Sequence, residues 1–97
     1  MIIVSVLYPS GHAFDMDYYR DHHLPLVRRL LAPAGMRSLS YWCPEGDTMF
    51  QLIAELRFDD RATTDAALAA HGPATQTDIP NFTSAPPVIL IGDEKHA

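Results

Sequence analysis

The chain has 97 residues, 47% hydrophobic and 20% charged, which is one domain's worth of core, and no run of about eighteen apolar residues that would cross a membrane. Seven basic against twelve acidic residues give a net charge of −5 with no basic stripe, so neither nucleic acid nor an anionic membrane surface is an expected partner. The single cysteine, Cys43, excludes an internal disulfide and a cysteine-based zinc site. Together with an N-terminus that lacks the basic start and cleavage site of a signal peptide, it points to the cytoplasm.

Ile2 to Tyr8 is rich in branched aliphatic residues and reads as a strand ending at Pro9-Ser10-Gly11. Asp15 then offers an N-cap, with Phe14 before it placed for a hydrophobic staple. In the helix that follows, Met16, Tyr19, His23, Leu26, Val27 and Leu30 recur at helical spacing and share one face. His23 is therefore aimed inward, where a titratable ring needs a partner. Pro25 has no backbone N–H, so the carbonyl of Asp21 loses its helical donor, and the helix is expected to kink or restart beside the histidine. Gly35 closes the element.

Arg37 to Cys43 alternates and suits a strand, and Pro44-Glu45-Gly46-Asp47 forms a turn. Met49 to Phe58 is the clearest strand, with Phe50, Leu52, Ala54, Leu56 and Phe58 all apolar, and the short turn makes the two strands an antiparallel hairpin. Asp59 or Asp60 caps an alanine-rich helix, which the spacing predicts to stop at His71-Gly72-Pro73. A loop from Ala74 to Ala85 then leads to a last short strand, Pro86 to Ile91, and Gly92 to Ala97 is a tail.

The order strand, helix, strand, strand, helix, strand defines an α+β ferredoxin-like βαββαβ plait, with a four-stranded antiparallel sheet in the order 4-1-3-2 and both helices on one face. Its other face would leave Ile3, Leu7 and Ile53 bare to water, a larger apolar patch than a monomer usually shows. Two copies packed sheet to sheet would cover it, so a homodimer is expected.

Three segments resemble a known family: Asp15-Met16-Asp17-Tyr18-Tyr19 with His23-Leu24-Pro25-Leu26-Val27, then Asp78-Ile79-Pro80-Asn81-Phe82-Thr83, then Pro87-Val88-Ile89. They are similar to the EthD family, named for a protein encoded with an ethyl tert-butyl ether degradation system. The resemblance covers nearly the whole chain, residues 1–97 as a single EthD-like domain, and implies a dimeric α+β barrel of two ferredoxin-like subunits. Related barrels include muconolactone isomerases, polyketide cyclases, cofactor-independent quinone-forming monooxygenases and haem-binding enzymes, a range that fixes no reaction. His23 matches the family's histidine in a His-x-Pro-Leu motif, and in related barrel enzymes the pocket lies between sheet and helices of each subunit, where a histidine often serves as acid or base.

From the residues themselves, an imidazole at position 23 titrates near neutrality and can move a proton without a cofactor. The same inward ring is also what a satisfied core histidine looks like. Tyr19, one turn earlier on the same face, could donate a hydrogen bond to a substrate oxygen, or could simply pack. Asp78 and Asn81 flank Ile79-Pro80, where polar side chains commonly hold a turn; alternatively, Asp78 orients the imidazole of His23 or His71. Glu55, on the mixed face of its strand, would need Arg57 or Arg37 as a partner. No pair of histidines falls on one helix face, so no metal site is expected, and no phosphate loop or dinucleotide fingerprint is present.

Two readings follow. One is a cofactor-free catabolic enzyme in which His23, with Tyr19 and Asp78, performs acid–base chemistry on a small apolar oxygenated compound: isomerisation, cyclisation, dehydration or oxygenation. The other is a non-catalytic accessory protein of ether or hydrocarbon degradation that binds a small hydrophobic molecule.

Overall fold

The computed structural model describes all 97 residues and contains a four-stranded sheet in the order β2-β3-β1-β4, where β1 is Ile2–Pro9, β2 Met36–Trp42, β3 Phe50–Phe58 and β4 Val88–Asp93. All three pairings are antiparallel, with Val4 opposite Leu56 and Ile91, and Leu39 opposite Leu56. This is the ferredoxin-like α+β plait expected from the element order.

The helices cover one sheet face because the alternation along β1 and β3 is strict. Val4, Tyr8, Leu52, Ala54, Leu56 and Phe58 are all buried beneath them. The opposite face carries Ile3, Leu7 and Ile53, half-buried, beside the exposed Trp42, Val88 and Leu90. Among these apolar groups, Arg57 pairs with Glu55 at 2.9 Å and with Glu94 at 3.4 Å, while Arg37 pairs instead with Asp59 at 2.8 Å.

The first helical run is continuous but not regular. It begins as α1, Met16–Tyr18, capped by Asp15, whose carboxylate accepts from the Tyr18 N–H at 3.1 Å. The Phe14 ring packs 5.2 Å from that of Tyr19, which completes the hydrophobic staple. A π-helical turn, Tyr19–His23, follows, in which the Leu24 N–H donates to the Tyr19 carbonyl five residues back. The run then restarts as α2, Leu24–Leu31, with Pro25 in its first turn, where the missing N–H costs little. The irregularity expected beside Pro25 thus takes the form of a wider turn. Its extra residue rotates the inward face, so that Leu31 is buried while Leu30 is only half-buried.

The second helix is longer than the sequence indicates. Rather than stopping at His71-Gly72-Pro73, α3 runs from Arg61 to Asp78 with Pro73 inside it, and a 3-10 turn, Ile79–Asn81, continues it. His71 is consequently a mid-helix residue, and much of the expected loop from Ala74 is helical. Two hydroxyls bond back onto the helix beside the proline, that of Thr75 donating to the Gly72 carbonyl and that of Thr77 to the Pro73 carbonyl, each at 2.8 Å. Burial of Gly72 and Ile79 over the sheet ties this last stretch down and overrides the local stop signal. Asp60 is the cap, accepting from the Thr63 N–H at 2.7 Å. The expected tail is also shorter, since β4 extends to Asp93 and Glu94 donates its N–H to the Met1 carbonyl at 2.9 Å.

Candidate active site

The segment after α3 is pinned against the start of α1. Phe14 bridges to Thr83, and the Asp15 N–H donates to the Phe82 carbonyl at 2.8 Å. Two stretches far apart in the chain, 15–23 and 78–83, thereby form one wall. The Phe82 ring is the wedge between them, buried with its centroid 4.6 Å from His23, 5.2 Å from Tyr19 and 5.6 Å from Tyr8.

On this wall, His23 and Asp78 meet. The His23 Nδ1 lies 2.9 Å from Asp78 Oδ2, with the imidazole side chain 5% and the carboxylate 15% exposed. The other carboxylate oxygen accepts from the Tyr18 hydroxyl at 2.7 Å and from the Asn81 amide at 3.0 Å, and that amide also donates to the Tyr18 oxygen at 3.1 Å. Burial by itself would raise the Asp78 pKa, but the hydrogen bonds from Tyr18, His23 and Asn81 outweigh it and hold the carboxyl below its usual range. An ionised carboxylate can only accept, so Nδ1 carries the proton and the lone pair of the neutral ring is on Nε2. Burial lowers the His23 pKa below 6.5 and the Asp78 bond only partly offsets this, so the ring is neutral at pH 7.

The free nitrogen has somewhere to act. No buried side-chain nitrogen or oxygen in the chain lacks a partner and Nε2 makes no bond within it, so Nε2 is accessible, and His23 is one of the residues that line a cavity. That cavity, about 340 Å³, lies between the sheet and α2 and α3. Its walls are mainly aliphatic, including Val4, Val27, Leu56 and Leu68, and its polar groups come from Tyr8, Tyr19, His23, Thr75 and Gln76. No lysine, arginine or carboxylate lines it. A second groove of about 350 Å³ shares Gln76, Ile79 and Ile89 with the first.

Of the residues singled out from the sequence, His23 and Asp78 touch, and Tyr19 stacks on the His23 ring at 5.6 Å. Tyr19 does not bond Asp78; its hydroxyl, like that of Tyr8, has no partner in the chain, and both residues line the cavity. Burial raises both phenols well above their ordinary pKa, so they remain protonated donors. Sequence reasoning missed Tyr8, Tyr18 and Phe82. Tyr18 and Phe82 both lie within the quoted motifs, and the period-2 pattern of β1 places Tyr8 on the same face as Val4. The His22 ring lies tilted against Tyr18 at 5.0 Å on the exposed side, and no three histidine, cysteine, aspartate or glutamate side chains converge anywhere. No helix is long and apolar enough to cross a membrane.

The plait has relatives among solved structures. The chain is similar to an EthD-like protein from Ralstonia eutropha, with 28% identity over 95% of this chain and 89% of that one and a TM-score of 0.80. An ethyl tert-butyl ether degradation (EthD) family protein from Bacillus halodurans shares the fold at 21% identity, 98% and 99% coverage and a TM-score of 0.71. A dimeric protein of unknown function with a ferredoxin-like fold from Bacteroides fragilis does so at 6% identity, 96% and 94% coverage and a TM-score of 0.64. No protein-family model and no curated protein matches the chain. The class defined by fold and site is thus the small ferredoxin-like α+β proteins with a pocket between sheet and helices. Within it, the chain is similar to EthD-like proteins.

Proposed function

We propose that this EthD-like chain is a small catabolic enzyme in which His23 moves a proton on an uncharged, apolar oxygenated compound bound in the cavity between sheet and helices. The observation that supports the reading is the 2.9 Å bond from His23 Nδ1 to Asp78, which leaves Nε2 basic and unbonded on a residue that lines that cavity. The aliphatic lining and the absence of cationic side chains favour a neutral ligand over a carboxylate or phosphate ester. Asp78 is a positioning residue that fixes the tautomer and favours the imidazolium as it forms. For a ketone substrate, Nε2 takes a proton from the carbon next to the carbonyl; the electron pair of the broken C–H bond forms the C=C bond of an enolate, and the C=O π pair moves to the oxygen. Tyr8 or Tyr19 supplies the hydrogen bond to that oxygen, and return of the proton to another position isomerises the compound. An imidazole performs this step without a cofactor.

The apolar outer sheet face, with Trp42, Val88 and Leu90 exposed beside Ile3, Leu7 and Ile53, supports assembly of two copies sheet to sheet as a homodimer. The exposed, unpaired thiol of Cys43 is in keeping with a reducing compartment such as the cytoplasm.

The test is hydrogen–deuterium exchange at the acidic carbon of 2-tetralone, a neutral bicyclic ketone, followed by NMR in heavy water. The protein should accelerate exchange above an equal concentration of free imidazole, and His23→Gln should lower the rate about 10²–10⁴-fold. Saturable binding of 2-tetralone with no acceleration would favour the alternative, an accessory protein that sequesters a hydrophobic molecule. That alternative draws on the same aliphatic lining.

A further inference from the structure

The cavity has a cause that can be located in the sequence of α3. Leu68, Gly72, Thr75, Gln76 and Ile79 follow one another at helical spacing and all line it. A helix face laid over a sheet normally fills such positions with large apolar side chains, as Leu68 and Ile79 do here. Gly72 is buried in the middle of this stripe, yet a Cβ added to it would meet nothing within 4 Å. Its backbone is not in the left-handed region, so no conformation demands glycine. Gly35 shows the contrast: its φ is +114°, and a Cβ there would collide with the Thr63 side chain. Glycine is among the poorest helix formers, and here it leaves a gap where neither contact with the rest of the fold nor a left-handed dihedral angle requires one. On the sheet side, Ala54 is likewise small between Leu52 and Leu56 and lines the same space.

We propose that Gly72 is a specificity-determining residue: its missing side chain sets the length of ligand the cavity admits, so that a two-ring molecule fits with its far end against α3. The assignment rests on the reading that the cavity binds an uncharged small molecule. One competing structural role for the glycine has to be separated, because the residue before a proline is crowded in a helix and Gly72 precedes Pro73.

The experiment compares the full-length protein with Gly72→Ala, Gly72→Met and the double variant Gly72→Met/Pro73→Ala. Calorimetric titration measures binding of phenol, 2-naphthol and 4-phenylphenol, and thermal melting is recorded for each protein. Gly72→Met is expected to keep its melting temperature and bind phenol within twofold of the parent, while 4-phenylphenol weakens tenfold or more. Gly72→Ala should shift the same preference in the same direction by less. Equal weakening for all three probes, or none for any, overturns the assignment. So does a fall in melting temperature in both single variants that Pro73→Ala restores, since the glycine would then serve the proline. A parent protein that binds none of the probes removes the binding reading itself, and the role of Gly72 with it.

Discussion

The Tyr18 hydroxyl donates to Asp78 at 2.7 Å, so the residue that competes with His23 for this carboxylate belongs to the same helical run, one turn before it. The bond raises the Tyr18 pKa and contributes to lowering that of Asp78. Asp78 therefore divides its negative charge between a tyrosine, an asparagine and the imidazole. Removing the Tyr18 donor leaves more of it for His23.

Tyr18→Phe should consequently raise the His23 pKa, moving the acidic limb of any His23-dependent rate to higher pH. The ring's 15N shifts followed through a pH titration measure this directly. An unchanged or lowered His23 pKa would show that Tyr18 does not tune the pair.

Asp78→Ala removes the partner of a buried ring and of Tyr18 and Asn81 together. A hydrogen bond to a charged group contributes about 1.5–3 kcal/mol, and urea unfolding should show a loss of that order. Asp78→Asn keeps an acceptor and should cost less, yet it removes the negative charge that favours the imidazolium, so turnover should fall further than stability. Equal stability loss in both variants with activity retained would make the contact purely structural.

Stability should also depend on pH in a defined direction. The folded His23 pKa lies below 6.5, so as pH falls through 6.5 the unfolded chain binds a proton before the folded one does. Folded-state stability is therefore lost on acidification, from about pH 6.5 down to the folded pKa. Below 3.8, protonation of the depressed Asp78 removes a further contribution. Urea midpoints between pH 7.5 and 5 should decline in the parent and flatten in His23→Gln. A parent that gains stability on acidification in this window would reverse the assignment.

The sheet face supplies a separate expectation. Light scattering at micromolar concentration should give twice the chain mass. Ile3→Asp or Ile53→Asp should shift the protein toward monomer and lower stability by roughly 2–5 kcal/mol, through lost contacts and a buried charge. A clean monomer of the parent chain would contradict the dimer.

The fold was legible because its alternation is clean. The uniformly apolar even positions of β3, Asp15 and Asp60 as caps and Gly35 as a stop each follow a local rule, and the structure agrees with each. The end of α3 was not legible, since Gly72-Pro73 is a local stop signal that only burial over the sheet can override. The inward face after His23 was misplaced by one residue for a related reason. A 3.6-residue period selects Leu30, and the π turn substitutes Leu31. At the site, the histidine and aspartate were legible as residue types within motifs. Their contact was not, because it depends on α3 continuing past Pro73 to Asp78 and on the following segment being pinned against the start of α1. The roles of adjacent Tyr18 and Tyr19 divide on the same geometry, one facing Asp78 and the other the cavity.

The central claim is that His23 holds a free, basic Nε2 toward the cavity, and one paired measurement tests it. Ring 15N shifts of His23 are followed with pH beside the 2-tetralone exchange rate. The account predicts a protonated Nδ1 and bare Nε2 at pH 7.5, and an exchange rate that rises with pH through the same single ionisation as the ring and then levels off. A His23 protonated on Nε2 at pH 7.5, or an exchange rate indifferent to its titration, would contradict it.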